Sequence, residues 1–312
     1  MSSTAAASSA TGPVVDDFPL EADLERRFGG LKRLYGAAGY ARVRAARVAV
    51  VGLGGVGSWA VEALARSGVA QLVLVDLDHV AESNVNRQVQ AVGATIGMSK
   101  AEALARRIAD IHPGCRVHGV EEFADETNWP GLLPVEVDAV IDACDQSRAK
   151  LMLADWARRT CMPFVTCGAA GGKQRAEKVE IDDLHATTHD PLLAGLRQRL
   201  RARHGAPRSG RMGVRCVFSR ESVAPPAVDD EDAACDVDPS AVRRDNSLNC
   251  HGYGSTVTVT ATFGLAAAGE VIAQLIAAKA VDPVRRDAQA IDGLARQRAG
   301  MLTFMALPET GC

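Results

Sequence analysis

None of the eight cysteines falls in a CxxC pair, which removes the spacing on which most structural zinc sites are built. Without such pairs or an export leader, the thiols are expected to be reduced and the protein cytoplasmic. The opening MSSTAAASSATGP has neither the basic start nor the long apolar core of an export signal, and no arginine precedes Arg26, unlike a transit peptide. Residues 1–20 read as a disordered tail. Neither sign of charge is in excess: Lys and Arg number 35 against 38 Asp and Glu, so any grip on nucleic acid must come from a local patch. No internal repeat is evident. One run, residues 255–278, is long and apolar enough to raise the membrane question, but Glu270, Gln274 and its threonines argue for a buried core helix.

What is present is a 47% hydrophobic share, ample for a core, organised around RVAVVGLGGVGS from Arg47 to Ser58. A β-branched segment stopped by Gly52, Gly54, Gly55 and Gly57 reads as a buried parallel strand turning into a helix N-terminus. Glycines admit an anion close to the backbone, and the unpaired N–H groups of the first helical turn favour negative charge there. The element predicts a bound nucleotide.

From Val48 onward, strand-like and helix-like segments alternate: VAVV, GVGSWAVEALARSG, QLVLVD, SKAEALARRIADIH, CRVHGV, VDAVIDA, a helix through Asp155, then PFVTCGAAGG. This predicts an α/β fold with a Rossmann-like, doubly wound, mostly parallel sheet. Residues 21–172 form the nucleotide-binding half. Residues 173–280 are expected as an inserted, substrate-facing region of the same domain, with the core helix at its end and a tail over 281–312. In that region only EKVEID reads as a strand. Arg197 to Arg220 carries eight arginines and no acid, interrupted by glycines and Pro207, and reads as a flexible basic arm for RNA. Arg197, Arg199, Arg201, Arg203, Arg208 and Arg211 are its candidate contacts, with Lys173 and Arg175 extending the patch.

GLGGVG also satisfies GxGxxG, and Asp76 closes the next strand where a dinucleotide fold holds the ribose, so an NAD-dependent oxidoreductase is one reading. Other features favour a triphosphate. Asp78, Asn84, Arg87 and Gln88 crowd the next loop. Lys100 opens a helix, where a cation is unfavourable unless an anion compensates it. Asp142 and Asp145 end a strand as hard-oxygen ligands for Mg²⁺.

GxGGxGS, DxD, NxNRQ, GxxK and DAxD, in this order from Gly52 to Asp145, resemble the adenylating domain of the E1-like family, which includes the ubiquitin-type and sulfur-carrier activating enzymes. RFGGLKRLYG, TCGAAGG, HDPLLAGLRQRL and GVRCVFS resemble, more narrowly, its branch that dehydrates N6-threonylcarbamoyladenosine at position 37 of tRNA, in the anticodon loop. That similarity runs from about residue 26 to residue 278. The resemblance implies ATP and Mg²⁺, a modified tRNA as substrate, attack of a carboxylate on the α-phosphate, and a homodimer. It leaves open a sulfur-acceptor or cysteine desulfurase partner. Adenylation of a ubiquitin-like or sulfur-carrier protein at its C-terminus is the neighbouring alternative, and a nucleotide-sensing scaffold the non-enzymatic one.

The roles implied are phosphate wrapping by Gly52, Gly54, Gly55 and Gly57, ribose binding by Asp76, and triphosphate contacts from Arg87 and Lys100. Asp145 is the expected Mg²⁺ ligand, with Asp142 second. Asp78, Asn84 and Gln88 complete the nucleotide loop, although Asp78 could equally be a cap. Arg27 or Arg33 is expected to reach the second protomer's ATP. Cys167, Cys216 and Cys250 read as buried, inert thiols, and Cys235 as the most reactive, on an acidic loop.

Overall fold

The computed structural model describes residues 23–224 and 253–278. The expected N-terminal tail, the acidic loop with Cys235, Cys250 and the C-terminal tail lie outside the described residues. Contacts divide the chain into a unit ending at Ile276 and a second of Ala277–Cys312.

The first unit is built on one seven-stranded sheet. β1 (Arg47–Val51), β2 (Gln71–Val75), β3 (Arg116–Val120), β4 (Ala139–Asp142), β5 (Phe164–Cys167), β6 (Val179–Asp183) and β7 (Arg215–Ser219) lie in the order β3-β2-β1-β4-β5-β7-β6. All pairs are parallel except β6 with β7, which places one antiparallel strand at an edge. Edge position explains why β6 tolerates Glu180 and Asp182, whereas β1 and β2 are almost wholly apolar.

Side-chain alternation along the strands sorts the core into two layers. Val48 and Val50 of β1 and Leu72 and Leu74 of β2 face one side, joined by α3 (Gly57–Arg66), α4 (Lys100–Ile111) and α7 (Val257–Ala277). Ala49, Val51, Val73 and Val75 face the other, covered by α5 (Ser147–Thr160) and α6 (Pro191–Arg203). At N-terminal α1 (Leu24–Phe28) and α2 (Gly30–Ala45), Val43 adds to the first layer.

Among the described residues α7 alone is long and apolar enough to cross a membrane, yet its Val259, Phe263, Ala267 and Val271 are fully buried in the first core layer. Its polar residues have partners in the sheet. Glu270 accepts from Arg215 Nε at 2.8 Å, and Gln274 brackets Phe164, accepting from its N–H and donating to its carbonyl. α7 is a core helix, as expected. A Cβ on Gly264 would meet Val56 O at 2.3 Å, so only glycine lets α7 cross the glycine-loop end of α3 this closely.

Two expectations need correction. EKVEID, which forms β6, is not the sole strand after residue 172: Arg215–Ser219 adds β7, so residues 173–219 complete the sheet. The arginine-rich stretch is also no flexible arm. It forms α6, a loop and β7, and several of its guanidinium groups are taken up by partners elsewhere in the fold, buried or at its surface. Arg215 pairs with Glu270, Arg220 with Glu180, and Arg199 donates to Ser147 O. Alternating arginine masked Leu192, Leu193, Leu196 and Leu200, whose helical spacing supplies the buried face of α6.

Candidate functional site

The strand order reverses at β1, whose neighbours β2 and β4 leave in opposite directions, so a crevice opens beyond the carboxyl ends of β1 and β4. Gly52, Asp76 and Asp142 to Asp145 all lie at that edge, which topology brings together from distant parts of the chain.

Gly52 has φ +89°, and a Cβ there would press on Ala143 O at 2.9 Å. A Cβ on Gly57 would lie 1.8 Å from Gly52 O. These two glycines therefore close the turn. Gly54 differs: nothing lies within 4 Å of where its Cβ would point, so it borders open space at the start of α3. Gly55 is crossed by Arg87, whose Cγ would lie 3.2 Å from a Cβ at that position. The glycine bend and the arginine loop are thus in contact.

Hydrogen bonds fix this contact from both sides. Trp59 Nε1 in the first turn of α3 donates to Arg87 O at 3.0 Å, and buried Gln90 donates from Nε2 to Leu53 O at 3.0 Å. Leu53 N in turn donates to Asp76 Oδ2 at 2.6 Å. Arg87 itself donates to Ser83 O and Asn86 Oδ1 within its own loop. Asn84 Oδ1 accepts from Ala81 N, so Asn84 builds the turn, and Gln88 is buried against Gln90. Trp59 and Gln90 had no sequence signal beyond their nearness to the motifs.

Lys100 is buried at the start of α4, and its Nζ lies 2.7 Å from Asp78 Oδ2 and 3.6 Å from Asp76 Oδ1. The anions that offset its position at a helix N-terminus are thus Asp78 and Asp76, which gives Asp78 a defined role as its partner.

Asp142 is the main departure. It is sealed in the core, where Oδ2 accepts from Lys150 Nζ at 2.8 Å and Thr166 Oγ1 at 2.7 Å. Lys150 Nζ also donates to Thr166 Oγ1 and Cys167 O, and Asp142 Oδ1 accepts from Cys144 N and Sγ. Burial is the largest single influence on the Lys150 pKa and lowers it, but the Asp142 carboxylate together with the Cys144 and Cys167 sulfurs leaves it raised. With its oxygens occupied, Asp142 is a structural anchor under the β4 turn. Asp145, three residues on, is exposed at the crevice. Lys150 was legible after all. It shares a helical stripe with Leu153, Ala154 and Ala157, where a lysine demands a buried counter-charge.

Cys167 and Cys216 are not poised for attack. Burial pushes the Cys167 thiol up to about 12 and Cys216 well above its ordinary value. Arg27 is also committed: its Nη1 caps the end of α4 through Asp110 O and Ile111 O, whereas Arg33 is exposed on α2. Lys173 is buried beneath Ser219 O and His189 O, and so does not extend the basic surface.

The ThiF family model matches residues 28–299. The tRNA threonylcarbamoyladenosine dehydratase of Escherichia coli (strain K12) is 40% identical over 255 residues, covering 81% of this chain and 94% of its own. A crystal structure of the E. coli tRNA N6-threonylcarbamoyladenosine dehydratase in complex with ATP matches with a TM-score of 0.70 at 38% identity, covering 82% of this chain and 96% of that one. A SAMP-activating enzyme E1 from Haloferax volcanii is 37% identical, but over only 42% of this chain and 48% of its own.

Proposed function

The chain belongs to the ThiF family, and from that premise we infer that it catalyses the ATP-dependent dehydration of N6-threonylcarbamoyladenosine in tRNA. The observation that carries the choice of substrate is coverage: similarity to the dehydratase extends over 81% of the chain, against 42% for the carrier-protein-activating relative. An oxidoreductase reading rests only on the glycine pattern and Asp76, which adenylating enzymes share.

The threonyl carboxylate is a poor electrophile because it would have to expel an oxide. One of its oxygens attacks the α-phosphorus of ATP, the bond to the bridging oxygen breaks, and pyrophosphate leaves. The acyl adenylate then meets the carbamoyl group of the same nucleoside. A carbamoyl nitrogen or oxygen closes on the activated carbonyl, a proton is lost, and AMP departs. Ring closure is intramolecular, so proximity supplies much of its rate and no cysteine nucleophile is needed, in keeping with the buried thiols.

The open side of Gly54 and the N–H groups at the start of α3 suit the phosphates, and Arg87, held against Gly55, suits the charge that develops as pyrophosphate leaves. Lys100 reaches the nucleotide edge from its Asp78 pair. Asp145 is the exposed carboxylate suited to Mg²⁺. Among the described residues no group of three or more His, Cys, Asp or Glu could hold a metal, so the ion would take its remaining ligands from ATP and water. Magnesium bound there would neutralise phosphate charge.

In this reading the enzyme is cytoplasmic and homodimeric, and Arg33 rather than Arg27 is the arginine that reaches a second copy, because Arg27 is tied to α4. The outward arginines of α6 and the loop after it contact tRNA. A sulfur-acceptor or cysteine desulfurase partner belongs to the same reading as an accessory. The test is mass analysis of tRNA nucleosides after incubation with enzyme, ATP and Mg²⁺. The modified nucleoside should lose one water, with pyrophosphate released only when modified tRNA is present. Pyrophosphate release stimulated instead by a carrier protein would replace this function with the neighbouring one.

A further inference from the structure

Two cavities open along α6. One, of about 330 Å³, lies at its N-terminal end beside Thr188, His189 and Ser222; the other, of about 500 Å³, is bordered by Gln198, Arg201 and Arg208. Ala194 and Arg197 line both. Arg197 is the wall between them.

Its guanidinium is fixed in place. Nη1 donates to Leu184 O at 3.0 Å, Thr187 O at 2.9 Å and Thr187 Oγ1 at 3.0 Å, all from the turn that precedes the helix. Nε and Nη2 have no such partner among the described residues. Nor does any described carboxylate pair with Arg197, Arg201 or Arg208, whereas Arg47, Arg107, Arg215 and Arg220 are each neutralised by an acid. An immobilised arginine with a free edge and no counter-ion among the described residues presents a planar, bidentate fork to an anion, with little side-chain entropy left to lose.

The position relative to the crevice decides what that anion is. Asp190, the N-cap of α6, accepts from Ala169 N just beyond β5, and Arg199 donates to Ser147 O, two residues past Asp145. The N-terminal end of α6, with the smaller cavity, therefore lies at the carboxyl edge of the sheet, the same edge on which the adenylation crevice opens, and the larger cavity runs on along the helix. Arg197 and Arg201 are one helical turn apart, about 6 Å along the axis, a span close to that between consecutive phosphates of a single strand. The smaller volume is at the lower end of the range for small-ligand sites and suits one nucleoside.

Resting on the dehydratase reading, we propose that these cavities seat the reacting nucleotide and its neighbour: the modified nucleoside occupies the smaller one, its phosphodiester lies on the Arg197 fork, and the next phosphate lies between Arg201 and Arg208. The arginines that turn inward, Arg199 above all, hold α6 against the crevice and touch no RNA.

Ala194 is exposed on the helix one turn before Arg197 and tests this without disturbing the core. Ala194→Glu places a carboxylate between the cavities, where it competes for the fork; Ala194→Gln has the same shape without the charge. With an RNA anticodon stem-loop bearing the modified nucleoside, A194E should bind at least tenfold more weakly, and the slope of log K against log salt should fall by about 0.7, one phosphate contact of a single strand. A194Q should keep the wild-type slope, and ATP binding should be equal in all three. Arg208→Gln should lose a similar part of the slope. Wild-type affinity and slope in A194E, or equal losses in A194E and A194Q, would overturn the assignment. A wild-type enzyme that binds this RNA with the expected slope yet never dehydrates it would overturn the functional reading and leave the groove standing as an RNA site.

Discussion

The Lys150 ammonium lies 2.8 Å from Asp142 Oδ2, and neither side chain is more than 1% exposed. This ion pair links the first turns of α5 to the carboxyl end of β4, directly beneath the residues that lead to Asp145. Breaking one half leaves a charge stranded in the core. Lys150→Met alone should cost about 3–5 kcal/mol of folding stability, as is usual for one lost partner of a buried pair. The double variant Lys150→Met with Asp142→Leu should recover most of that loss. Urea denaturation of the two variants measures both numbers; an equal loss in the double variant would show that hydrogen bonding through Thr166, rather than charge, carries the link.

Gly54 and Gly57 should respond to alanine in opposite ways. Gly57→Ala drives a methyl into Gly52 O and should lower the thermal midpoint markedly, since the turn cannot close around it. Gly54→Ala meets open space, so its thermal midpoint should be unchanged while the KM for ATP rises about tenfold or more, equivalent to about 1.4 kcal/mol of binding. A Gly54→Ala enzyme with a normal KM would place the phosphates elsewhere.

Arg87→Ala should reduce turnover by about 10³-fold or more if the guanidinium stabilises the departing pyrophosphate. Asp145→Asn should also abolish most turnover. Because Asp145 is exposed, its loss should change folding stability by no more than about 0.5 kcal/mol. Rates of pyrophosphate release with modified tRNA, read beside thermal midpoints, separate a chemical role from a structural one. Near-normal turnover in either variant would remove that residue from the mechanism.

His112 makes stability depend on pH. Burial, followed by the neighbouring Arg44, lowers its pKa from 6.5 to about 4. Arg44 donates to Nε2, which therefore carries no proton, and Arg44 is itself held by Gly68 O and stacked on Phe28. Between these two pKa values the unfolded chain binds a proton that the folded protein excludes. The contribution of His112 is therefore complete above about pH 6.5, declines as pH falls towards about 4, and changes no further below that. Urea midpoints followed from pH 7 to pH 4 should fall less steeply in His112→Gln than in the wild type.

The amino-acid sequence by itself determined the α/β class, the glycine turn, the strands β1 to β6 and the nature of α7. These features rest on local periodicity and on backbone demands that only certain residues meet: β-branched runs for buried strands, glycine where Gly52 must adopt a positive φ, a polar pair on an otherwise apolar helix. Tertiary structure decided the rest. Whether Asp142 faces ligand or core depended on Lys150 from the next helix and Thr166 from the next strand. Whether an arginine is left for a ligand or taken up by the fold depended on which carbonyl or carboxylate lay opposite, as Arg27, Arg199 and Arg215 show. β7 was hidden in a basic stretch because its hydrophobic neighbours, β5 and β6, come from earlier in the chain. A charge has no intrinsic direction in sequence, and its role is set by the partner that folding brings within hydrogen-bonding distance.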